Sequence, residues 1–398
     1  MNIVIFTWNF PPLSDAEAYC TARFASALAQ FGHNVKIVTM RYTNTMRAAI
    51  YDVLVDANLD IVRVQQTIPP RRDLVTQLYY KTAEWNSGDF GASISVLSDV
   101  LKKTENPILV SRANPSSSHV VAWHCRKYAY KWIAHFSDPY PWFSGNRSIG
   151  GIYRKLVGRH WGKRILRDCS AVSLTCQTVC RFFSSQYGKL FDEKKHFVVT
   201  HIGEPKFDTA ASLPIKPCMT DVITHSGTLT FARGAREIVS AISLLNQSAH
   251  CCEFYQVGGV GAEMREFMSK NSHVKVYDQL NEEEAFFMVE HSKACIISDL
   301  DVGLGYSPFL PSKFAYQIFT NTPIVLYTYL DSEMARYAKL YPNAGLFIAR
   351  IGDVRSLCDA LGEALSCDHK LIDREKIRQH FSRHEIAKEF SRQLEDII

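Results

Sequence analysis

The residues best suited to chemistry lie where predicted strands end. One such segment, residues 224–234, contains Gly227 and Thr228 at the end of a strand and Arg233 at the entry to a predicted helix. Glycine lets a ligand approach the backbone closely, and a helix start presents unpaired N–H groups. An arginine side chain can donate two parallel hydrogen bonds to phosphate oxygens. The pattern indicates an anion site, although a tight turn with a solvated arginine would look the same.

A second segment of this kind, residues 307–316, follows the predicted strand Cys295–Ser298. Ser312 is expected to be the N-cap of a helix that runs through Ile318. Lys313 then falls in the first turn, where its charge is unfavourable because a helix start is already positive. A bound anion would resolve this conflict, and so would full exposure of the lysine to solvent.

Short runs of β-branched residues alternate with helical patterns along both halves of the chain, which favours parallel sheets covered by helices. In the first half, the predicted strands are Ile3–Thr7, Val35–Thr39, Ile61–Val64, Ile108–Ser111, Trp132–Phe136, Ala171–Leu174 and Phe197–Thr200. In the second half, they are Val222–His225, Glu253–Val257, Val274–Tyr277, Cys295–Ser298, Ile324–Tyr327 and Leu346–Ala349. Helices of the second half are expected to start near Arg233, Glu263, Glu282, Ser312 and Asp353.

The length of the chain and the positions of its prolines predict how it is divided into domains. A chain of 398 residues suits two domains. Prolines and weak periodicity predict a linker at 206–221, between a domain of residues 1–205 and one of residues 222–382. The final segment, 383–398, has one apolar face and predicts a helix that packs on its own domain or returns to the first.

Composition excludes several classes of protein. With 46% hydrophobic and 21% charged residues, the chain is typical of a soluble globular protein, and no apolar run approaches the roughly 20 residues of a membrane span. The 11 cysteines include no CxxC pair, and Cys176 and Cys180 lack further metal ligands. They are expected to be buried free thiols, with Cys251-Cys252 inside a strand, in a reducing cytoplasm.

Charge is divided unevenly along the chain. Residues 1–205 carry 25 Lys and Arg against 15 Asp and Glu, whereas residues 206–398 carry 20 against 25. In the densest basic stretch, residues 154–167, Lys and Arg recur at helical spacing beside Ile152 and Leu156. A solvated helix face explains it, and so does contact with an anionic membrane or a lipid-diphosphate acceptor.

Taken in order, these motifs resemble the retaining GT-B glycosyltransferases of family 4. Four segments over nearly the whole chain carry the resemblance: Ile3-Val4-Ile5-Phe6-Thr7 with Phe10-Pro11-Pro12 and Gly32-His33-Asn34-Val35; Lys131 to Pro139; Gly227-Thr228-Leu229 with Arg233-Gly234; and Pro311-Ser312-Lys313 with Thr322-Pro323-Ile324-Val325. The resemblance implies an α/β protein of the GT-B type, in which two Rossmann-like domains face a cleft and the second holds a nucleotide-diphosphate sugar.

Carried over position by position, the resemblance implies a donor site. Gly227 and Thr228 would lie near the diphosphate, and Arg233 stands where the family usually has a lysine. The segment that contains Tyr277 and Leu280 would contact the base. The predicted donor-binding residues are Gly227, Thr228, Arg233, Tyr277, Leu280, Ser312, Lys313 and Tyr316.

Three departures from the family pattern concern the same donor site. Tyr316 stands where a glutamate usually binds the ribose, and Thr228 stands where an arginine is usual. Ser14-Asp15-Ala16-Glu17 replaces a glycine pair, which predicts a bulkier and acidic loop near the diphosphate. These changes leave two readings open, an active transferase and a catalytically weakened binding partner of another transferase.

The chemistry implied is displacement at the anomeric carbon, with retention of configuration and without a metal or other cofactor. The catalytic candidates are Asp138, His119, Arg233 and Lys313, and Arg112 is a further residue at a strand end. Asp299-x-Asp301 is read as a loop feature rather than a metal site. A nicotinamide-dependent oxidoreductase is disfavoured because no GxGxxG turn follows the first strand.

The expected partners follow from the same resemblance. They are a UDP- or GDP-linked sugar and a glycan or polyprenyl-diphosphate-linked acceptor, with no role for nucleic acid. The expected location is the cytoplasm, at the inner face of the cell membrane if the basic first domain contacts anionic lipid.

Overall fold

The structure is a computed structural model. It describes residues 1–13, 15–41, 59–65, 90–113, 116–141, 149–205, 221–248 and 251–398. The chain forms two compact units: unit 1 comprises Met1–Ile202 with Arg383–Ile398, and unit 2 comprises Gly203–Ser382. The predicted linker, residues 206–221, lies outside the described residues except for Asp221, which begins a strand.

Unit 1 is built on a seven-stranded parallel sheet with the strand order β3-β2-β1-β4-β5-β6-β7. The central strand β1 is apolar throughout, and Ile3, Val4, Ile5 and Phe6 are fully buried. Such a strand needs cover on both faces, which the flanking helices provide. The strands are β1 Asn2–Phe6, β2 Asn34–Met40, β3 Asp60–Val64, β4 Ile108–Arg112, β5 Lys131–Phe136, β6 Ala171–Leu174 and β7 His196–Val198.

Unit 2 repeats the design with six parallel strands in the order β10-β9-β8-β11-β12-β13. This is the 3-2-1-4-5-6 order of a doubly wound sheet, in which the strand order reverses between the first and fourth strands. The strands are β8 Asp221–Ser226, β9 Cys252–Val257, β10 Val274–Tyr277, β11 Ala294–Ser298, β12 Ile324–Thr328 and β13 Leu346–Arg350. Every strand predicted from the sequence is present within two residues of its expected bounds.

Helices cover both sheets. Those of unit 1 are α1 Ala16–Gln30, α2 Phe90–Lys103, α3 Ser117–Cys125, α4 Ile149–Asp168, α5 Gln177–Tyr187, α6 Lys189–Asp192 and α14 Arg383–Glu395. Those of unit 2 are α7 Ala235–Gln247, α8 Ala262–Ser269, α9 Glu282–Glu290, α10 Ser312–Gln317, α11 Glu333–Leu340, α12 Val354–Ser366 and α13 Glu375–His380. In the described part of the chain, no helix is long and apolar enough to serve as a transmembrane segment.

The last helix, α14, returns to unit 1. The ring of Phe390 packs edge-on against Phe24 of α1, with 4.9 Å between ring centroids. Leu394 is fully buried in the same core cluster, and the Ser391 hydroxyl lies 2.6 Å from Nε2 of His33. Of the two predicted placements of the C-terminal helix, on its own domain or on the first, the structure has the second.

The cysteine prediction needs correction. The described cysteines are free, but Cys251 is exposed, and Cys180, Cys358 and Cys367 are only partly buried. Cys251 precedes β9 instead of lying in it, because that strand begins at Cys252.

Candidate functional site

The carboxyl ends of β8 and β11 mark the reversal point of the sheet in unit 2, where doubly wound folds bind ligands. Gly227 follows β8 with φ of +107°, a conformation that side chains with a Cβ rarely adopt. Two bonds fix it: its N–H donates to the Val257 carbonyl at 2.7 Å, and its carbonyl accepts from Nε2 of Gln256 at 2.7 Å. The turn at Gly227 is therefore fixed, and the absence of a side chain lets a ligand approach its backbone closely.

Lys313 reaches this turn from α10. Its Nζ lies 3.2 Å from Nε2 of His225, the penultimate residue of β8. A Cβ added to Gly227 would lie 3.0 Å from the same Nζ. The structure thus brings together two predicted donor-site residues that are 86 positions apart in the sequence.

The hydrogen bonds around His225 fix its tautomer. Because Nε2 of Gln256 donates to Gly227, its Oε1 faces the imidazole and accepts from Nδ1 of His225 at 2.8 Å. Nε2 of His225 is then the acceptor for the Lys313 ammonium. Burial, followed by the charge of Lys313, holds the pKa of His225 well below its usual value. His225 is a neutral residue that orients Lys313.

Two cations, Lys313 and Arg233, lie close enough at this site to affect each other's charge. Burial and, next, the charge of Arg233 lower the pKa of Lys313 from its usual value of 10.5 to about 7. Lys313 forms no ion pair with a carboxylate among the described residues. Arg233 lies in a short 3-10 turn, Phe231–Arg233, and donates through Nη1 to the Ser298 carbonyl at 3.2 Å. Two neighbouring cations in a partly buried position are suited to an anionic ligand.

Asp299 lies beside these cations. It is buried, accepts from the Thr328 hydroxyl, and has a pKa that burial raises to about 6 despite the opposing effect of Arg233. Asp301, by contrast, is exposed and accepts from the Tyr329 hydroxyl at 2.6 Å. No group of three or more His, Cys, Asp and Glu in the described ranges is placed to hold a metal ion.

Four other predicted donor-site residues, Tyr277, Leu280, Tyr316 and Thr228, have different surroundings. Tyr277 packs on Tyr255 with 5.2 Å between ring centroids, and Leu280 joins the same small apolar cluster. The Tyr316 hydroxyl donates to the Glu282 carbonyl at 3.3 Å, and Thr228 is exposed.

One detail of the segment 307–316 was predicted wrongly. Ser312 is not the N-cap of α10 but its first helical residue, and Pro311 occupies the cap position without a side-chain bond. Proline presets the backbone at this boundary, so the serine is not needed there. The helix also ends at Gln317, one residue before the predicted Ile318.

Unit 1 has its own polar cluster at the carboxyl end of β4. Arg112, the last residue of that strand, donates through Nε to Oε1 of Glu17 at 3.1 Å, and both side chains are less than 5% exposed. The Thr21 hydroxyl donates to the same oxygen at 3.2 Å, and Asp15 accepts from the Ala18 N–H as the N-cap of α1. The two acidic side chains of the predicted acidic loop are therefore used inside unit 1.

His119 lies next to this cluster on α3. Its Nδ1 is 2.8 Å from the Ser111 hydroxyl, which accepts from Nε1 of Trp132. The serine proton is then available for Nδ1 of His119, and this leaves Nε2–H of His119 as a buried donor without a partner among the described residues. Burial lowers the pKa of His119 to about 3, so the imidazole is neutral at physiological pH.

His135 on β5 has the same arrangement. Nδ1 of His135 lies 2.6 Å from the Ser173 hydroxyl, and its buried Nε2 has no partner in the part of the chain that the structure describes. Burial and then the charge of Arg112 hold the pKa of His135 well below its usual value. Sequence reasoning did not select His135; its only signal was its place at the end of a strand, just before Ser137 and Asp138.

Asp138 is exposed two residues beyond β5. Its charge contributes to the raised pKa of Glu17, whose main cause is burial, so Asp138 lies near the ion pair of Glu17 and Arg112. A charge on His119 would lower the pKa of His135 further, so the two imidazoles lie near each other. The structure thus gathers Asp138, Arg112 and His119 at one edge of the sheet. Buried polar groups without partners are rare, and two at this edge indicate a site for a polar ligand.

Comparisons with known proteins bear on the fold. No family model matches the sequence, and no curated protein sequence matches it. Solved structures match over the full length. A glycosyltransferase from Rickettsia africae aligns with 13% identity and a TM-score of 0.68, covering 100% of this chain and 98% of its own. Trehalose-6-phosphate from E. coli bound with UDP-2-fluoro glucose aligns with 12% identity and a TM-score of 0.65, covering 100% of this chain and 99% of its own.

A UDP-N-acetylglucosamine 2-epimerase also aligns, with 10% identity and a TM-score of 0.54 over 98% of this chain and 93% of its own. At such identities the likeness defines the fold alone. It confirms the predicted α/β fold class, a GT-B fold of two Rossmann-like units with a C-terminal helix on the first. Because this fold serves both transferases and an epimerase, the function has to be argued from the site.

Proposed function

We propose that this protein is a glycosyltransferase that moves a sugar from a nucleotide-diphosphate donor to a glycan or lipid-linked acceptor. One observation carries the proposal. At the reversal point of the unit 2 sheet, the Lys313 ammonium is held against Gly227 and His225 beside Arg233, with no carboxylate paired to Lys313 among the described residues. A diphosphate would supply a negative partner for the Lys313 ammonium.

The chemistry assigned to this site is stabilisation of a leaving group. As the bond between the anomeric carbon and the diphosphate oxygen breaks, negative charge develops on that oxygen. Preorganised cations in a partly buried site stabilise such charge most effectively. In this proposal Lys313 and Arg233 supply them, without a metal ion, and the retention of configuration rests on the family resemblance.

The nucleoside is assigned to neighbouring residues of unit 2. Tyr277 and Leu280 offer apolar contact for a base, and Tyr316 offers one hydroxyl to the ribose. Ser312 and Thr228 complete the donor site with hydroxyl groups. This assignment fits a UDP- or GDP-linked sugar. Thermal-shift screening against UDP-, GDP-, ADP- and dTDP-sugars tests it, because a ligand that binds the folded state raises the melting temperature. If none of these sugars raises the melting temperature, the proposal is contradicted.

The acceptor is assigned to the polar edge of unit 1. Asp138 is exposed there, and its carboxylate is suited to accept the proton that the acceptor hydroxyl loses as its oxygen bonds to the anomeric carbon. His119, held neutral by burial, is suited to donate a hydrogen bond through Nε2. The proposed location is the cytoplasm, at the inner face of the membrane, where a polyprenyl-diphosphate-linked acceptor would lie.

We expect Asp138→Asn to lower kcat at least tenfold while KM for the donor changes little, because the amide cannot accept the proton. Steady-state kinetics with a donor found by the screen measures this. Asp168→Asn is the matched control, because it makes the same chemical change at a residue with no proposed role in transfer. Asp168 lies on α4 and pairs with Arg126. A folded Asp138→Asn variant with an unchanged kcat removes Asp138 from the mechanism.

Donor affinity should fall as pH rises above about 7. Lys313 carries its charge below its pKa of about 7 and loses it above. A bound diphosphate favours the charged form, so the Kd for UDP or GDP should increase by up to about tenfold per pH unit above that point. Calorimetric titration between about pH 6 and pH 9 measures it. A Kd that is constant over this range contradicts the role of Lys313.

The alternative function is a GT-B protein that has lost activity and serves as a binding partner of another transferase. The replacements at Tyr316 and Thr228 favour it. Assays of transfer and of donor hydrolysis distinguish the two. A protein that binds a nucleotide sugar but supports neither reaction fits the binding partner.

A further inference from the structure

Strand β13 is an outer strand of the unit 2 sheet, with β12 as its neighbour in the described strand order. Its bonds to β12 run from the Gly345 carbonyl to the Ile351 N–H. Because alternate residues of a strand bond to the same side, the backbone groups of Leu346 and Ile348 face away from β12. Among the described residues, the outward N–H groups of these two residues have no hydrogen-bond partner.

The composition of β13 favours pairing with a further strand. Four of its five residues are apolar, none is proline, and Ile348 is partly exposed. Outer strands that stay unpaired usually carry charges, proline or a bulge along the edge. In β13 the one charged residue, Arg350, is at the end of the strand. The edge of β13 is therefore open to a partner strand.

A groove of about 290 Å³ lies beside this edge. Its walls are formed by β13 and by one side of α12, through Ile348, Arg350, Asp353, Arg355, Ser356, Asp359, Ala360 and Glu363. Arg355, Asp359 and Glu363 are exposed, and none of them forms an ion pair among the described residues. Residues four apart on a helix are neighbours, so the carboxylates of Asp359 and Glu363 repel each other. This part of the groove favours contact with a cation that α12 itself does not supply.

The charges of α12 are self-complementary. Arg355 and Glu363 lie four residues on either side of Asp359. Two copies of α12 that run antiparallel and meet at Asp359 therefore bring each Arg355 opposite Glu363 of the other copy. Two copies of β13 that run antiparallel and meet at Ile348 exchange two N–H···O bonds there. Ile348 and Asp359 line the same groove, so a single two-fold axis satisfies both arrangements.

We propose that β13 and α12 form the interface of a symmetric dimer, in which a second copy of this chain continues the unit 2 sheet. Backbone bonds at Ile348 join the two sheets, and two ion pairs between Arg355 and Glu363 fix the register and orientation. An extended peptide of another protein would use the strand edge but would leave the symmetric charge pattern without a role. This inference goes beyond the proposed function and does not depend on it, since it concerns assembly and not transfer.

Sedimentation velocity of the full chain over a range of concentrations tests the proposal, and the wild type is expected to form a dimer. Arg355→Glu and Glu363→Arg should each raise the dissociation constant of the dimer at least about tenfold, because each places like charges opposite one another. An equimolar mixture of the two variants should form a heterodimer, since every glutamate then faces an arginine. The double variant Arg355→Glu with Glu363→Arg should dimerise again for the same reason.

Lys376→Glu is the matched control, because it reverses an exposed charge elsewhere in unit 2 and should leave the dissociation constant unchanged. Unchanged circular dichroism and melting temperature establish that the single variants fold. The proposal is overturned if the wild type stays monomeric at every concentration, as a peptide of another protein on β13 would imply. It is also overturned if the single variants dimerise as well as the wild type, or if their mixture dimerises no better than each variant alone.

Discussion

Replacing Lys313 by methionine is expected to lower kcat/KM for the nucleotide sugar by about 100- to 1000-fold. Methionine retains much of the apolar length of lysine but has no charge for the leaving diphosphate. The ammonium contacts Nε2 of His225, and Gln256 holds the His225 ring in turn. Initial-rate assays with saturating acceptor measure the effect.

The same variant should not be less stable than the wild type near neutral pH, because it removes a partly buried cation that lies beside another. A lowered lysine pKa means that the unfolded chain binds more protons than the folded chain between about pH 7 and 10.5. Wild-type stability should therefore rise with pH over this window, and this slope should be smaller in Lys313→Met. Lys376→Met is the control for activity. A kcat/KM within about threefold of the wild type contradicts the assignment.

Replacing Arg112 by methionine is expected to destabilise the protein by about 3 to 5 kcal/mol. The change leaves the Glu17 carboxylate buried without its cation, and the Thr21 hydroxyl alone does not compensate. Chemical denaturation with urea measures the loss. The loss should shrink at acidic pH, because burial already raises the pKa of Glu17 and the protonated acid carries no charge.

The double variant Arg112→Met with Glu17→Leu is the diagnostic control. Replacing both partners by apolar groups of similar size is often close to neutral, so most of the stability should return. Coupling of this kind between two residues is what a double-mutant cycle detects. A double variant as unstable as Arg112→Met alone shows that Arg112 acts through packing, for example on the ring of Phe24, which lies 5.1 Å from the guanidinium carbon.

Much of the fold was predictable because its strands are buried on both faces. A strand such as β1 or β11 must be apolar along its whole length, and this gives a signal that local sequence carries. The short helix α11, Glu333–Leu340, was not predicted because two turns provide too little periodicity. The face of the sheet that a loop covers depends on tertiary packing, and the sequence pattern does not predict it.

The site was predictable to a lesser degree. Gly227 and Lys313 were selected because each belongs to a segment that follows a strand, and the structure places them side by side, which does not test their role. His225 and Gln256 were missed, since a buried histidine inside a strand looks like core until its hydrogen bonds are known. The acidic loop was misjudged because its tertiary contacts were also unknown. Glu17 was taken as exposed, but it accepts a hydrogen bond from Arg112, which is 95 positions away in the sequence.

Proton uptake on binding UDP or GDP tests the central claim most directly. Titration calorimetry in buffers of different ionisation enthalpy, slightly above pH 7, counts the protons taken up. Lys313, partly uncharged before binding, should take up a fraction of a proton as the diphosphate restores its charge, and the Lys313→Met variant should lack this uptake. Equal proton exchange in the wild type and the variant, or no binding of either nucleotide, would contradict the assignment of Lys313 to a diphosphate.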